Sequence, residues 1–289
     1  MDVARRIEQA LTQALSLADQ PGCPPKLGAA MRHAVFPAGA RVRPRLVLAV
    51  ATACGDDAPA LTDAAATAIE LLHCASLVHD DLPCFDDAQT RRGKPSVHRA
   101  FGERLAVLSG DGLIVLAFQV LAQVLPQQPQ RGAALMQTIS RSVGLPRGIV
   151  AGQAWECESR VSLAEYQREK TGSLFEAATV AGAEAAGAAP TAWRLFGDKL
   201  GEAYQVADDI RDVAADPALI GKPVGQDVLL ARPSSARELG LEGAVRHFER
   251  LVSEVVASIP QCRGAEALRR LVAAEADRMV PKEIMALAA

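Results

Sequence analysis

The stretch Ile69-Glu70-Leu71-Leu72-His73-Cys74-Ala75-Ser76-Leu77-Val78-His79-Asp80-Asp81-Leu82-Pro83-Cys84-Phe85-Asp86-Asp87 carries the pattern of a buried helix into a run of aspartates. Apolar residues at Ala65, Ala68, Ile69, Leu71, Leu72, Ala75, Leu77 and Val78 lie all round a helix predicted over 61–81, which marks a helix enclosed by protein. Its polar exceptions are Glu70, His73 and His79. Pro83 ends or kinks it. On an unbroken helix Asp80 and Asp86 would sit about 120° apart, so a break at Pro83 lets Asp86 curl back toward Asp80. Four carboxylates thus fall within eight residues, and Arg91-Arg92-Gly93-Lys94-Pro95 follows at once. So much negative charge repels itself unless a cation holds it. Mg²⁺ takes few protein ligands and shares the rest of its shell with phosphate oxygens and water, and arginines nearby suit the same phosphate through paired contacts. Taken alone, the cluster is equally a solvated acidic loop.

It does not stand alone. Asp208-Asp209-Ile210-Arg211-Asp212 ends a second apolar helical run, with Lys222 downstream. Asp208 and Asp212 are i, i+4 and share a helix face; Asp209 lies about 100° round. Two aspartate clusters, each at the end of a helix and each followed by basic residues, point to one chemistry. The pair Asp56-Asp57 has no basic residues after it and reads as a turn between helices.

Composition sets the class. The chain has 289 residues, 49% of them hydrophobic but only 4% aromatic, with alanine abundant. Alanine and leucine favour helix, whereas strands want β-branched and aromatic residues, so the expected fold is all-α, a single domain over 1–289. With a net charge of −3 nothing recommends the protein for nucleic acid, and no nucleic-acid partner is expected. Six cysteines without CxxC spacing read as reduced thiols. No signal-peptide core opens the chain, and no apolar run reaches transmembrane length free of charge, so a soluble cytoplasmic protein without a transmembrane segment is expected.

Helices are further predicted over 2–18, 26–35, 45–54, 105–124, 132–142, 148–155 and 193–213, and another starts at the capping-box pattern Ser162-Leu163-Ala164-Glu165 and carries Lys170-Thr171-Gly172 into the apolar stretch 174–186. Three more follow, over 234–240, 242–258 and 264–279. Phe36 to Pro44 reads as a loop, and its Arg41 and Arg43 form either a basic surface turn or part of a site. His73 lies seven residues before Asp80, roughly on the same face, so it is either a satisfied core histidine or looks into the same cavity. Lys170-Thr171-Gly172 enters an apolar stretch as a helix–helix contact or a phosphate site.

These motifs resemble the trans-isoprenyl diphosphate synthases, the polyprenyl synthetase family. Asp80-Asp81-x₄-Asp86 with Arg91-Arg92-Gly93 is paired with Asp208-Asp209-x₂-Asp212 and Gly221-Lys222, and the likeness runs from Arg41-x-Arg43-Pro44 to Asp227. Within the family the chain is most similar to the geranylgeranyl diphosphate synthases of carotenoid and photopigment pathways. The resemblance implies an isoprenoid synthase fold of ten or more helices around a deep central cavity, as a homodimer. It implies condensation of isopentenyl diphosphate with dimethylallyl, geranyl or farnesyl diphosphate. Asp80, Asp81, Asp86, Asp208, Asp209 and Asp212 would bind Mg²⁺, three ions in all. Arg91, Lys170, Thr171, Gln205 and Lys222 match positions that hold the allylic diphosphate, and Arg43, His73 and Arg92 match those that hold isopentenyl diphosphate. Ala40 stands where the family has lysine, with Arg41 as its neighbouring substitute.

The reaction needs what these residues supply. An allylic C–O bond ionises when the leaving pyrophosphate is stabilised by Lewis acids and fixed cations, and an apolar cavity shelters the carbocation. Product length follows from space along the helix before Asp80. Ala75 and Ser76 are small where a bulky aromatic in this family stops growth near fifteen carbons, and Leu72 is a candidate floor, so the expected product has twenty. Smallness at Ala75 also suits helix packing alone. The competing readings are a farnesyl diphosphate synthase, a non-catalytic subunit of a heteromeric synthase, and a class I terpene cyclase.

Overall fold

A computed structural model describes residues 2–36, 39–158, 166, 168–214 and 235–281. Ile7, Leu11, Ala14 and Leu15 recur at helical spacing and form the buried stripe of α1 (Val3–Leu15), whose cap Asp2 accepts the Ala4 amide at 3.2 Å. Proline opens α2 (Pro25–Val35) and α4 (Pro59–Asp80), where its missing N–H costs no helical bond. Between them α3 runs over Val42–Cys54 and stops at Gly55, which takes the left-handed conformation (φ 110°) that such a stop requires.

The chain divides into two compact units, Met1–Ser140 with Ala181–Ala188, and Arg141–Val180 with Ala189–Ala289. In the first, α4 is the central element. It is buried on every side, from Leu61 to Val78, and packs against α3 and α6 (Glu103–Val124). The short α5 (Val97–Phe101) precedes α6. Full burial of a leucine or isoleucine stabilises by about 1.5–3 kcal/mol, and the aliphatic residues Leu11, Leu15, Ile69, Leu71, Leu113 and Leu121 supply this core with no aromatic among them. In the second unit α10 (Thr191–Ala214) packs against α11 (Ser235–Ser258), α12 (Ala265–Met279) lies against both, and α8 (Ile149–Ala154) lies against the turn over Arg168–Gly172; Phe175, Phe196 and Ile210 are fully buried there. The remaining helices, α7 (Pro129–Val143) and α9 (Ser173–Ala185), have residues in both units.

Twelve α-helices stand among the described residues, and the fold is all-α as the composition predicted. The one sheet among them is a two-residue hairpin, Thr90–Arg91 against Lys94–Pro95. Two differences from the sequence reading have physical causes. The loop expected over 36–44 ends early, because Pro44 lies in the first turn of α3, where its ring meets no earlier turn; Arg43 is therefore a helical residue. Two helices expected over 234–240 and 242–258 form one element broken at Gly240 (φ 69°, ψ 167°). By length and composition α4 and α6 could each cross a membrane, but neither is free of charge, since α4 carries Asp63 and Glu70 and α6 carries Asp111; α4 is mostly buried.

Candidate active site

The first aspartate motif is shaped by the end of α4. The helix stops at Asp80, and Pro83 falls in the turn that follows. The chain then doubles back: the Asp86 amide donates to the Asp80 carbonyl at 3.0 Å and the Ala88 amide to the Asp81 carbonyl at 3.2 Å. Asp86 thereby returns to the level of Asp80, as the proline predicted. Asp81 is 2% exposed. Burial pushes its carboxyl above the ordinary range, the Arg91 guanidinium pulls it back, and the charges of Asp80 and Asp86 push it up again. Arg91 Nε reaches Asp81 Oδ1 at 3.0 Å, and Nη2 adds a second, short contact.

The arginines are set by the hairpin. A two-residue hairpin turn of type I′ takes positive φ at both central positions, and Arg92 (φ 53°) and Gly93 (φ 74°) provide it. Lys94 holds the hairpin to the end of α2 by donating to the carbonyls of His33 (3.3 Å) and Phe36. The Arg92 guanidinium lies so close to Gly39 that a Cβ there would meet it at 2.7 Å, and its Nη1 is buried without a hydrogen-bond partner. Cys74, Asp81, Arg91, Arg92 and Lys94 line a small hollow in this unit. Burial pushes the Cys74 thiol up to about 12, so it stays a neutral wall. Beside the hollow, His73 Nε2 lies 3.5 Å from Arg43 Nη1. Burial, then the charges of Arg43, Arg92, Arg91 and Arg41, hold the His73 imidazole well below its ordinary pKa, so it is neutral at pH 7.

Arg41 takes a different place from the one its position in the motif suggested. It is buried, and its guanidinium is divided among Glu8 (2.8 Å), Glu70 (2.6 Å) and the Val35 carbonyl (2.9 Å). Burial opposes its charge, but the bonds from Glu8 and Glu70 outweigh it and raise its pKa. Neither Arg41 nor Arg43 is a surface residue, so a basic surface turn is excluded. Glu8 escaped the sequence reading altogether; Glu70 left a trace there as a carboxylate in an otherwise apolar helix.

In the second unit the chain over Arg168–Gly172 forms a single π-turn, a local widening of the helix common at functional sites. It carries Lys170 and Thr171. Thr171 Oγ1 donates to Gln205 Oε1 at 2.9 Å, and Gln205 Nε2 donates to Asp209 Oδ1 at 2.9 Å, so three of the expected residues form one relay. Asp209 is 1% exposed. Asp208 accepts from Arg211 at 2.7 Å. Lys170 Nζ donates to Glu156 Oε1 at 2.7 Å, and the Tyr166 hydroxyl donates to the same oxygen at 2.5 Å. Glu156 is a further residue of the site, outside both aspartate motifs. Lys222 and its Gly221 lie outside the described residues, as does the capping-box pattern Ser162-Leu163-Ala164-Glu165.

Leu72 and Ala75 are buried in α4, the latter 1% exposed; Ser76 is half-buried, its hydroxyl donating to the His73 carbonyl at 2.9 Å. Among the described residues no three His, Cys, Asp or Glu side chains stand together as a closed metal cage. The donors at both motifs are carboxylate oxygens, the type that Mg²⁺ takes, and an open set suits an ion that completes its octahedron with ligand and water. The residues therefore fit Mg²⁺.

The comparisons with known proteins agree. The Polyprenyl synthetase family matches residues 24–264. The chain is 52% identical over 286 residues to a geranylgeranyl diphosphate synthase of Cereibacter sphaeroides, covering 99% of each chain. It is 50% identical to a geranylgeranyl diphosphate synthase of Rhodobacter capsulatus, covering 94% of each. The crystal structure of a Helicobacter pylori geranyltransferase complexed with magnesium and isoprenyl diphosphate superposes with a TM-score of 0.81 at 28% identity, covering 96% of this chain and 97% of that one. With its two aspartate motifs, its isoprenoid synthase fold and these relatives, the chain belongs to the polyprenyl synthetase family.

Proposed function

We propose that the protein is a prenyltransferase that condenses isopentenyl diphosphate with allylic diphosphates and releases geranylgeranyl diphosphate. The observation that carries the reading is the doubled-back end of α4, which brings Asp80, Asp81 and Asp86 together beside Arg91 and Arg92 while the preceding turns carry the small Ala75 and Ser76. The names of the relatives support the twenty-carbon product.

Mg²⁺ held by Asp80, Asp81 and Asp86, and by Asp208, Asp209 and Asp212, would supply Lewis acidity to the diphosphate; three ions is the family expectation. The chain's own groups do the rest. Lys170, Thr171, Gln205, Arg91 and Lys222 bind the allylic diphosphate. To do so Lys170 exchanges Glu156 for phosphate, and Arg91 turns from Asp81. Their fixed charge stabilises the pyrophosphate as the allylic C–O bond breaks. Arg43, His73 and Arg92 hold isopentenyl diphosphate. Its double bond attacks the cation, and a proton leaves to the departing pyrophosphate. Neutral His73 suits this role, since an imidazolium beside Arg43 would repel it.

We read the protein as a homodimer, with the exposed apolar face of α6 as the surface a second copy covers. We place its work in the cytoplasm, in supply of a carotenoid precursor; the resemblance supports this. The test is incubation of the purified protein with Mg²⁺, labelled isopentenyl diphosphate and, in turn, dimethylallyl, geranyl and farnesyl diphosphate, with products sized by chromatography. A twenty-carbon product is expected. A fifteen-carbon product would keep the chemistry and overturn the product length. No product from any starter would overturn the reading and turn attention to Ala40 and a partner subunit.

A further inference from the structure

Arg41 has the backbone of a glycine. Its φ of 50° and ψ of 38° are left-handed, a conformation that side-chain-bearing residues keep only where the surroundings hold it. What holds it is plain. The planar fork of the guanidinium spans Glu8 on α1, Glu70 on α4 and the last turn of α2, where the Val35 carbonyl accepts and the Phe36 ring lies 5.8 Å away. One side chain thus ties the start of α3 to three other helices.

The segment so fixed touches two groups assigned to isopentenyl diphosphate. Gly39, two residues earlier, lies against the Arg92 guanidinium. Arg43, two residues later, reaches His73. Glu70 is one turn before His73 on the same helix, so α3 is pinned to α4 at consecutive turns, once through Arg41–Glu70 and once through Arg43–His73.

We propose that Arg41 is a positioning residue: through Glu8 and Glu70 it fixes residues 39–43, so that Arg43, Arg92 and His73 are presented together to the diphosphate of isopentenyl diphosphate, which Arg41 itself does not touch. The inference rests on the functional reading above for the identity of the ligand. It explains why an arginine stands here in a strained backbone, and why its charge is already consumed by two carboxylates.

The test is Arg41→Lys, which keeps the charge and loses the fork, with Glu8→Gln as a milder variant that leaves the buried Glu70 contact in place. Kinetics are measured for each substrate separately, and the His73 ring is titrated by NMR in the substrate-free protein. His73 is faced by Arg43, Arg92, Arg91 and Arg41, all of which stay charged in Arg41→Lys except for the exchange of one cation for another. KM for isopentenyl diphosphate is expected to rise on the order of tenfold or more, with KM for the allylic substrate unchanged. The His73 pKa is expected to rise toward its ordinary value as Arg43 moves away. Glu8→Gln shows the same pattern at smaller size, and carries the test if Arg41→Lys fails to fold. A lower melting temperature with unchanged KM and an unchanged His73 titration would overturn the proposal and leave Arg41 a purely structural residue. If the wild-type protein transfers no prenyl group, the functional reading has failed, and the His73 titration alone decides whether Arg41 positions Arg43.

Discussion

His73 shows how one residue type carries two meanings until its neighbours are known. A histidine in an apolar helix is a core group or a ligand by sequence; here burial first, and then four guanidinium charges, keep it neutral. The sign of the pH effect follows. Its native pKa is depressed, so below about 6.5 the unfolded chain binds a proton that the native state refuses. The His73 contribution is complete above that value and is lost as pH falls toward the native pKa. Thermal melts from about pH 7.5 down to about pH 5.5 are expected to fall more steeply for the wild type than for His73→Gln; parallel curves would contradict it. Ala75 makes a second case. It is buried and lies five residues before Asp80, about 7.5 Å down the helix axis. Ala75→Tyr is expected to shorten the product toward fifteen carbons, read by chromatography, and an unchanged distribution would show that Ala75 is small for packing alone. The aspartate motifs and their basic neighbours stand out in the sequence because their spacing is local. The place of Arg41 does not, because its partners Glu8 and Glu70 are 33 and 29 residues away.

At the scale of elements, the helices were legible from their apolar periodicity, and the errors came where a local rule met a particular position. Pro44 breaks a helix interior but not a first turn. The π-turn at Arg168–Gly172 left no trace in the sequence pattern, because the stretch after it, 174–186, is apolar nearly all round and has no single face whose phase could shift. Yet this turn presents Lys170 and Thr171, and its packing on α10 depends on two glycines. A Cβ at Gly201 would lie 2.8 Å from the Gly172 Cα and 3.3 Å from the Phe175 Cβ. Gly201→Ala should gain about 1 kcal/mol from helix propensity. Backbone cannot yield as a side-chain tip can, and overpacking of this kind costs about 1–3 kcal/mol. Net destabilisation is therefore expected in denaturant melts, together with a raised KM for the allylic diphosphate as Thr171 moves off Gln205. A variant more stable than the wild type with unchanged KM would show that the turn and α10 are not in such close contact.

For the whole molecule the open question is what covers α6. Leu108 and Val115 are 52% and 56% exposed and seven residues apart, hence on one face of the helix, with Val107 exposed beside them. Burying such residues stabilises by about 1.5–3 kcal/mol each, so a face of this kind calls for a partner. A bilayer would accept the leucine and valine but not Asp111, whose side chain is 58% exposed within the same turns and would be costly at membrane depth. A second copy of the chain accepts both, because a rim carboxylate stays in water while its apolar neighbours are covered. The functional argument runs the same way, since a soluble dimer leaves the aspartate motifs open to diphosphates in water. We therefore expect the purified protein to sediment at twice the chain mass of 30.4 kDa. The double variant Leu108→Glu, Val115→Glu should sediment at the mass of one chain at micromolar concentration, because it sets four carboxylates across a two-fold interface. Dimers that persist in the double variant would move the interface elsewhere, and vesicle binding abolished by the same substitutions would return the face to the membrane.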